Sequence, residues 1–236
     1  MLVVTLKLCP DPGFPAADLR RDTVNRSFVS ALLLLLCLVS GPLQGFAQIS
    51  PSSAVTDYVL RDRFSVQVVA GALFSPVIQP ESRPDLNYVQ TNIRFIWGMD
   101  PDRTVRKLDW KGSLDCILEL TNSFIFEGAG NVISGVTGLL RYNFHSRAEK
   151  WFPYIQAGVG FVYTDAYKDR SQDLIGQAVE FNPQMSLGLR YRIHRAWTLD
   201  CEAMFHHISN AGLSERNVGV NALGGFIGVT RFFKGF

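Results

Sequence analysis

The stretch Phe205-His206-His207-Ile208-Ser209-Asn210-Ala211-Gly212, followed by Asn217, Gly219 and Asn221, carries the residue types of an acyl-transfer site. A serine becomes a nucleophile when an imidazole within hydrogen-bond reach takes its proton, and that imidazole needs a third group to hold its tautomer. Donors must also face the carbonyl oxygen that becomes negative under attack. His207 and Ser209 stand two residues apart, so on an extended strand their side chains share a face. If the following strand returns so that Ser209 lies opposite Gly219, then His207 lies opposite Asn221, whose amide oxygen can accept from the far ring nitrogen. Asn217 and the backbone N–H groups near Ala211 and Gly212 are then the candidate oxyanion donors. His206 has the opposite parity and is expected inside, near Glu202. Adjacent histidines on opposite strand faces cannot easily chelate one metal, so neither a zinc site nor a cofactor is expected.

Such a pair needs a strand that presents it, and the chain supplies strands throughout. From Phe64 onward apolar residues recur at every second position, the period that lines one face of a strand. The alternation predicts about eight strands, over 64–74, 88–99, 114–126, 135–144, 152–164, 181–193, 197–207 and 219–233. Each is near or above the 9–11 residues that a tilted strand needs to cross a bilayer. A soluble antiparallel sandwich would alternate as well, and the charges separate the two. On the polar faces Asp115, Glu119, Asp200 and Glu202 are matched by Arg94, Arg141, Arg190 and Arg192, while the apolar faces carry almost no charge. A sandwich has no need of that balance on a wet face. The lumen of a closed eight-stranded barrel is filled by side chains, so charges there must pair.

Aromatic residues fit the same choice, because Trp97, Tyr142, Phe144, Tyr163, Tyr191 and Trp197 fall near strand ends on the apolar faces, where interfacial girdles belong. The expected fold is therefore all-β: an eight-stranded antiparallel transmembrane β-barrel, residues 64–236, with both termini periplasmic. Counting strands from a periplasmic start makes the strand over 197–207 run outward. His207 and Ser209 then sit at its extracellular end, on the lipid-facing side. With its lumen packed, the barrel is a poor pore. Cys116 and Cys201 share the lipid face about four strands apart, too far to bond.

The N-terminal region reads as an address. Phe28 to Val39, FVSALLLLLCLV, is an apolar run preceded by Arg20, Arg21 and Arg26 and followed by Gly45-Phe46-Ala47. That is the order of a secretory signal, and the run is short of the ~20 residues of a membrane-spanning helix. Residues 1–47 are expected to be a cleaved leader with its apolar part at 28–39, and 48–63 a periplasmic N-terminal segment. A net charge of +2 over 236 residues excludes a general nucleic-acid binder, whose phosphate contacts require a basic surplus.

Barrel, lipid-facing parity and the H-x-S-N stretch together resemble the lipid A 3-O-deacylases of the outer membrane (PagL-type). By position, the resemblance implies His207 as base, Ser209 as nucleophile, Asn210 as the following motif asparagine and Asn217 as an oxyanion residue. It further implies lipid A or lipopolysaccharide of the outer leaflet as substrate, in the outer membrane of a Gram-negative bacterium. Phe236 resembles the C-terminal signal read by the barrel-assembly machinery. The departure is Asn221, where better-known members carry a glutamate. Asparagine cannot neutralise an imidazolium, yet a Cys-His-Asn arrangement works in papain-like enzymes. Of the acids that might replace the glutamate, Glu202 points inward by parity and Glu215 lies in the loop. The outer-membrane phospholipase A family also resembles this stretch, with asparagine as its third member. A phospholipase A-like esterase, or an inactive structural or adhesin-like barrel, are the alternative readings.

Overall fold

The structure, a computed structural model, describes residues 64–75, 84–99, 112–144 and 150–233. The leader expected over 1–47, the segment 48–63, His145 and Phe236 lie outside the described residues. Nine strands follow one another as β1 (Phe64–Phe74), β2 (Asn87–Met99), β3 (Gly112–Glu127), β4 (Val132–Phe144), β5 (Trp151–Thr164), β6 (Val179–Phe181), β7 (Gln184–His194), β8 (Trp197–Ile208) and β9 (Val220–Phe232). All pairs are antiparallel, each main strand bonds its chain neighbour, and β1 pairs with β9 to close the barrel.

The barrel is eight-stranded because β6 and β7 form one wall. Phe161 pairs with Phe181 on β6, and Gly158 pairs with Gln184 on β7, in unbroken register. Pro183 lies between the two segments. Proline has no N–H to give to a ladder, so pairing is interrupted there and resumes beyond it. The wall expected over 181–193 thus starts earlier, at Val179, and carries this break. The eight walls run from 11 to 16 residues, long enough to cross a bilayer at a tilt.

Parity sorts the side chains as the alternation predicts. Outward-facing Leu140, Val159, Leu187, Ile193 and Ile227 are each more than half exposed, as lipid-facing residues are. Aromatic rings gather at the terminus end of the barrel in the pairs Phe64–Trp97, Tyr142–Phe144 and Trp151–Tyr191. Leu223 and Ile227 face out while Phe226 and Thr230 are buried, which fixes the parity of the Gly-rich β9 and turns Asn221 outward with them.

Inside, Glu119, Asp200 and Glu202 pair with arginines, while Asp115 accepts from the Asn143 amide at 2.8 Å. Arg94 Nε meets Glu119 at 2.6 Å and its Nη1 meets Glu202, while Arg190 meets Asp200 at 2.7 Å. Arg141 bonds Gln67 at 2.7 Å and Gln156 at 2.7 and 2.8 Å, with its guanidinium 4.3 Å from the centre of the Tyr154 ring. Burying these ions has a desolvation cost that only close geometry and added hydrogen bonds offset. Arg192 departs from the set, since it is only partly buried and lies near the Phe152 ring.

The lumen is not polar along its whole height. At the end where β8 meets β9 through the 209–219 loop, Leu73, Leu86, Tyr88, Ile125, Ile133, Val162, Met204, Ile208, Val220 and Phe226 form an apolar plug, with Leu174 and Ile175 of the β5–β6 loop in the same cluster. The plug gives this end of the barrel a packed base for the loops above it.

Candidate active site

Three residues at the end of β8 and the start of β9 make a hydrogen-bonded row. Ile208 is fully buried in the plug. By alternation its two neighbours, His207 and Ser209, turn out together, and both are half-buried. The ladder sets His207 opposite Asn221 and Ile208 opposite Val220, which meets the condition on which the motif's third member depended. Across it, His207 Nε2 lies 2.9 Å from Ser209 Oγ, and His207 Nδ1 lies 2.6 Å from Asn221 Oδ1. An amide oxygen only accepts, so Nδ1 carries the proton and Nε2 is left as the base toward the serine hydroxyl. No acid replaces Asn221 here: Glu202 is in the lumen, bonded to Arg94 and Tyr154, and the partner of Nδ1 is Asn221 rather than Glu215.

The far side of Ser209 is fixed by main-chain bonds. Its N–H donates to Phe181 O at 3.1 Å and its carbonyl accepts from Phe181 N–H at 2.8 Å, so the short β6 extends the wall up to Ser209. Gly219 is needed opposite. Its φ is +73°, and a Cβ there would stand 3.2 Å from His207 Cε1 and 3.4 Å from Ser209 Cβ. Any side chain would both strain the backbone and press on the pair.

The candidate oxyanion residues divide. Asn217 Oδ1 accepts the Asn210 N–H at 2.9 Å, which places this amide one residue from Ser209. Its Nδ2 makes no hydrogen bond among the described residues and is the end able to donate. Ala211 has φ +55°, a left-handed conformation that costs a non-glycine residue about 1–2 kcal/mol. Its N–H is likewise uncommitted among the described residues. Gly212, by contrast, gives its N–H to Asn210 Oδ1 at 3.0 Å, so its amide is already engaged. Asn210 is a buried tie within the loop: Oδ1 also faces the Ser214 N–H at 3.4 Å, and Nδ2 donates to Arg216 O at 3.0 Å. The sequence could not tell a free N–H from an engaged one.

His206 turns inward as its parity requires, but its partner differs from the expected one. Its Nδ1 meets the Tyr88 hydroxyl at 2.7 Å, because Glu202 is already held by Arg94, Tyr154 and Gln156. Glu180, fully buried on β6, was not foreseen. It accepts from the N–H groups of Gly176 and Gln177 at 3.3 and 3.1 Å and so closes the β5–β6 loop beside the site. At the start of that loop Asp165 accepts the N–H groups of Asn131 and Val132 and the Asn131 side chain, tying down the β3–β4 turn. Partial burial opposes its charge, yet these donors outweigh that and hold the carboxyl below its ordinary range.

Around the row the surface is apolar. Phe161, Val179, Met185 and Leu223 are exposed on the barrel wall, Leu213 and Val218 are exposed in the loop, and the Phe161 and Phe181 rings lie 5.1 Å apart. A base, a hydroxyl and two uncommitted donors in such surroundings suit attack on an ester that arrives sideways, from the hydrocarbon.

No curated protein sequence matches the chain. Among solved structures, that of the outer-membrane enzyme PagL is similar at 20% identity and a TM-score of 0.50, covering 70% of this chain and 97% of that one. Neisserial surface protein A is similar at 13% identity and a TM-score of 0.52, covering 72% of this chain and 97% of that one. At such identities these likenesses establish the barrel fold alone. The family model of lipid A 3-O-deacylase (PagL) matches residues 88–230, more than half of the chain, from Tyr88 in β2 through all of β3 to β8 and the row of three. The chain is an outer-membrane β-barrel that belongs to the lipid A 3-O-deacylase (PagL) family.

Proposed function

We propose that the chain hydrolyses an ester-linked acyl chain of lipid A by a Ser-His-Asn mechanism at the outer leaflet. The observation that carries this reading is the unbroken row Ser209 Oγ, His207 imidazole and Asn221 Oδ1 on the lipid-facing side, at the loop end of the barrel. Ser209 Oγ attacks the ester carbonyl while His207 Nε2 takes the hydroxyl proton. The imidazolium formed keeps its Nδ1–H on Asn221 Oδ1, which holds the ring in place. The tetrahedral oxygen is met by Asn217 Nδ2 and the Ala211 N–H, donors already set before reaction. Collapse expels the sugar alkoxide, which takes the proton from Nε2 and leaves an acyl-serine. Water, deprotonated by the same nitrogen, then releases the fatty acid and restores Ser209.

Asn221 supplies orientation and tautomer without charge, so the mechanism is kept at a reduced rate. The apolar surroundings exclude water from the nucleophile until a lipid occupies them, which strengthens each electrostatic contact. Under this reading 1–47 is a cleaved leader and 64–236 the barrel. A fluorophosphonate that reacts with activated serines tests the mechanism. Peptide mapping is expected to find the adduct on Ser209, and on nothing in H207A. A folded wild-type barrel that takes no label contradicts the serine mechanism and favours an inactive structural barrel.

A further inference from the structure

The loop that carries Asn217 is bolted to its neighbour by one side chain. Arg216 Nη1 donates to the carbonyls of Asp169 at 2.8 Å and Gln172 at 3.1 Å, and its Nη2 donates to the carbonyl of Tyr167 at 2.9 Å. These three acceptors belong to the β5–β6 loop, around the 3-10 turn Ala166–Lys168. Gln172, itself buried, stiffens that loop from within: its Nε2 reaches the carbonyls of Ala166, Asp169 and Ile175, and its Oε1 accepts the Ile175 N–H. The guanidinium therefore grips a preformed carbonyl cradle, and its planar fork suits three acceptors in a way that an ammonium does not.

The grip leads straight to the site. The Arg216 carbonyl accepts Asn210 Nδ2, and the next residue, Asn217, accepts the Asn210 N–H through its side chain. Val218 and Gly219 continue onto the β5–β6 loop, with their N–H groups on the carbonyls of Asp173 and Leu174, both at 3.0 Å. Of the four residues 216–219, only Asn217 makes no hydrogen bond to that loop, and its amide turns instead toward the residue after the nucleophile.

We propose that Arg216 is a positioning residue for the reaction: by clamping the β8–β9 loop to the β5–β6 loop it holds the Asn217 amide in register with Ser209. The proposal rests on the reading of Ser209 as nucleophile and Asn217 as oxyanion donor. Arg216 touches no reacting atom. Its contribution is made through Asn217, and a misplacement of about 1 Å in a donor is enough to cost up to ~100-fold in rate.

The test is a mutant cycle on the full-length protein in detergent micelles with lipid A as substrate, comparing wild type, R216A, R216K, N217A, R216A/N217A and S209A. Folding of each barrel is checked by its heat-modifiable migration. R216A is expected to lower kcat by about 10- to 100-fold with KM little changed. R216K is expected to recover only part of the loss, and R216A/N217A to be no slower than N217A alone. Methylguanidinium at non-denaturing concentration should restore activity to R216A and not to N217A. Wild-type kcat in folded R216A overturns the proposal, as does a double mutant that loses both factors in full. If R216A does not fold, the R216K/N217A pair is read in the same way. Full activity in S209A would overturn the reading of the site itself, an outcome distinct from failure of the clamp.

Discussion

Asn221→Asp replaces the neutral acceptor of His207 by a charged one of the same size, at the position where 2.6 Å already separates Oδ1 from Nδ1. A neutral hydrogen bond contributes about 1 kcal/mol net, and one to a charged group about 1.5–3 kcal/mol. In the proposed mechanism the imidazolium forms as Ser209 gives up its proton, so most of this difference acts on the barrier. An upper bound comes from Coulomb's law, about 4 kcal/mol for unit charges about 4 Å apart at an effective dielectric of about 20. Half-burial of both residues places the gain well below that bound. A gain of about 1.4 kcal/mol corresponds to about a tenfold rise in kcat. Asn221→Leu, which removes the acceptor without adding charge, should lower kcat by about tenfold. Asn221→Glu should retain or raise activity. The assay is single-turnover release of fatty acid from lipid A in micelles, with phosphonate labelling of Ser209 as a check on the nucleophile. Unchanged or reduced kcat in Asn221→Asp, with folded barrel and labelled Ser209, would refute the role assigned to the Asn221 contact. Complete loss in Asn221→Glu would refute the third position itself.

Gly219→Ala should reduce kcat while the barrel still folds, because φ +73° strains any L side chain and a methyl group 3.2 Å from His207 Cε1 pushes the ring off its position; fatty-acid release and heat-modifiable migration together check this. Glu202→Leu strips partners from Arg94 and Tyr154 in the lumen, and should destabilise the barrel by about 3–5 kcal/mol, measured by urea unfolding in lipid vesicles. Asp165 has a carboxyl pKa held below its ordinary value, so its tie to the β3–β4 turn is present above the ordinary carboxylate range and is lost as pH falls through the lowered folded value. Protection of the Asn131 and Val132 amides, taken relative to their intrinsic exchange rate at each pH, should therefore fall at acid pH in the wild type and be absent at every pH in Asp165→Ala.

The barrel walls and the row of three were legible because both depend on period-two parity, which a sequence states directly. Ile208 between His207 and Ser209 is enough to turn the two polar side chains outward once the strand exists, whereas the His207–Asn221 register is left open by the sequence and is set by the β8–β9 ladder. Other features depend on contacts that parity does not encode. Pro183 breaks a wall whose pairing register runs on through it, so Val179 and Glu180 of β6 lie in what the alternation leaves as loop. The apolar plug escaped notice because Leu73, Tyr88, Ile125 and Ile133 occupy positions that the same strands fill with polar residues farther along. Which backbone N–H groups remain free for an oxyanion was also hidden, since Gly212 loses its own to Asn210 through a turn that only coordinates reveal. The Arg216 clamp joins two loops 40 to 50 residues apart in the chain, and an arginine in a polar loop carries no mark of it.

Mass spectrometry of lipid A from cells expressing the wild-type chain and S209A tests the central claim most directly. The account predicts lipid A lacking one ester-linked acyl chain in the wild type and fully acylated lipid A in S209A, with both barrels folded in the outer membrane. An acylation pattern left unchanged by the folded wild-type protein, or altered equally by S209A, would contradict it.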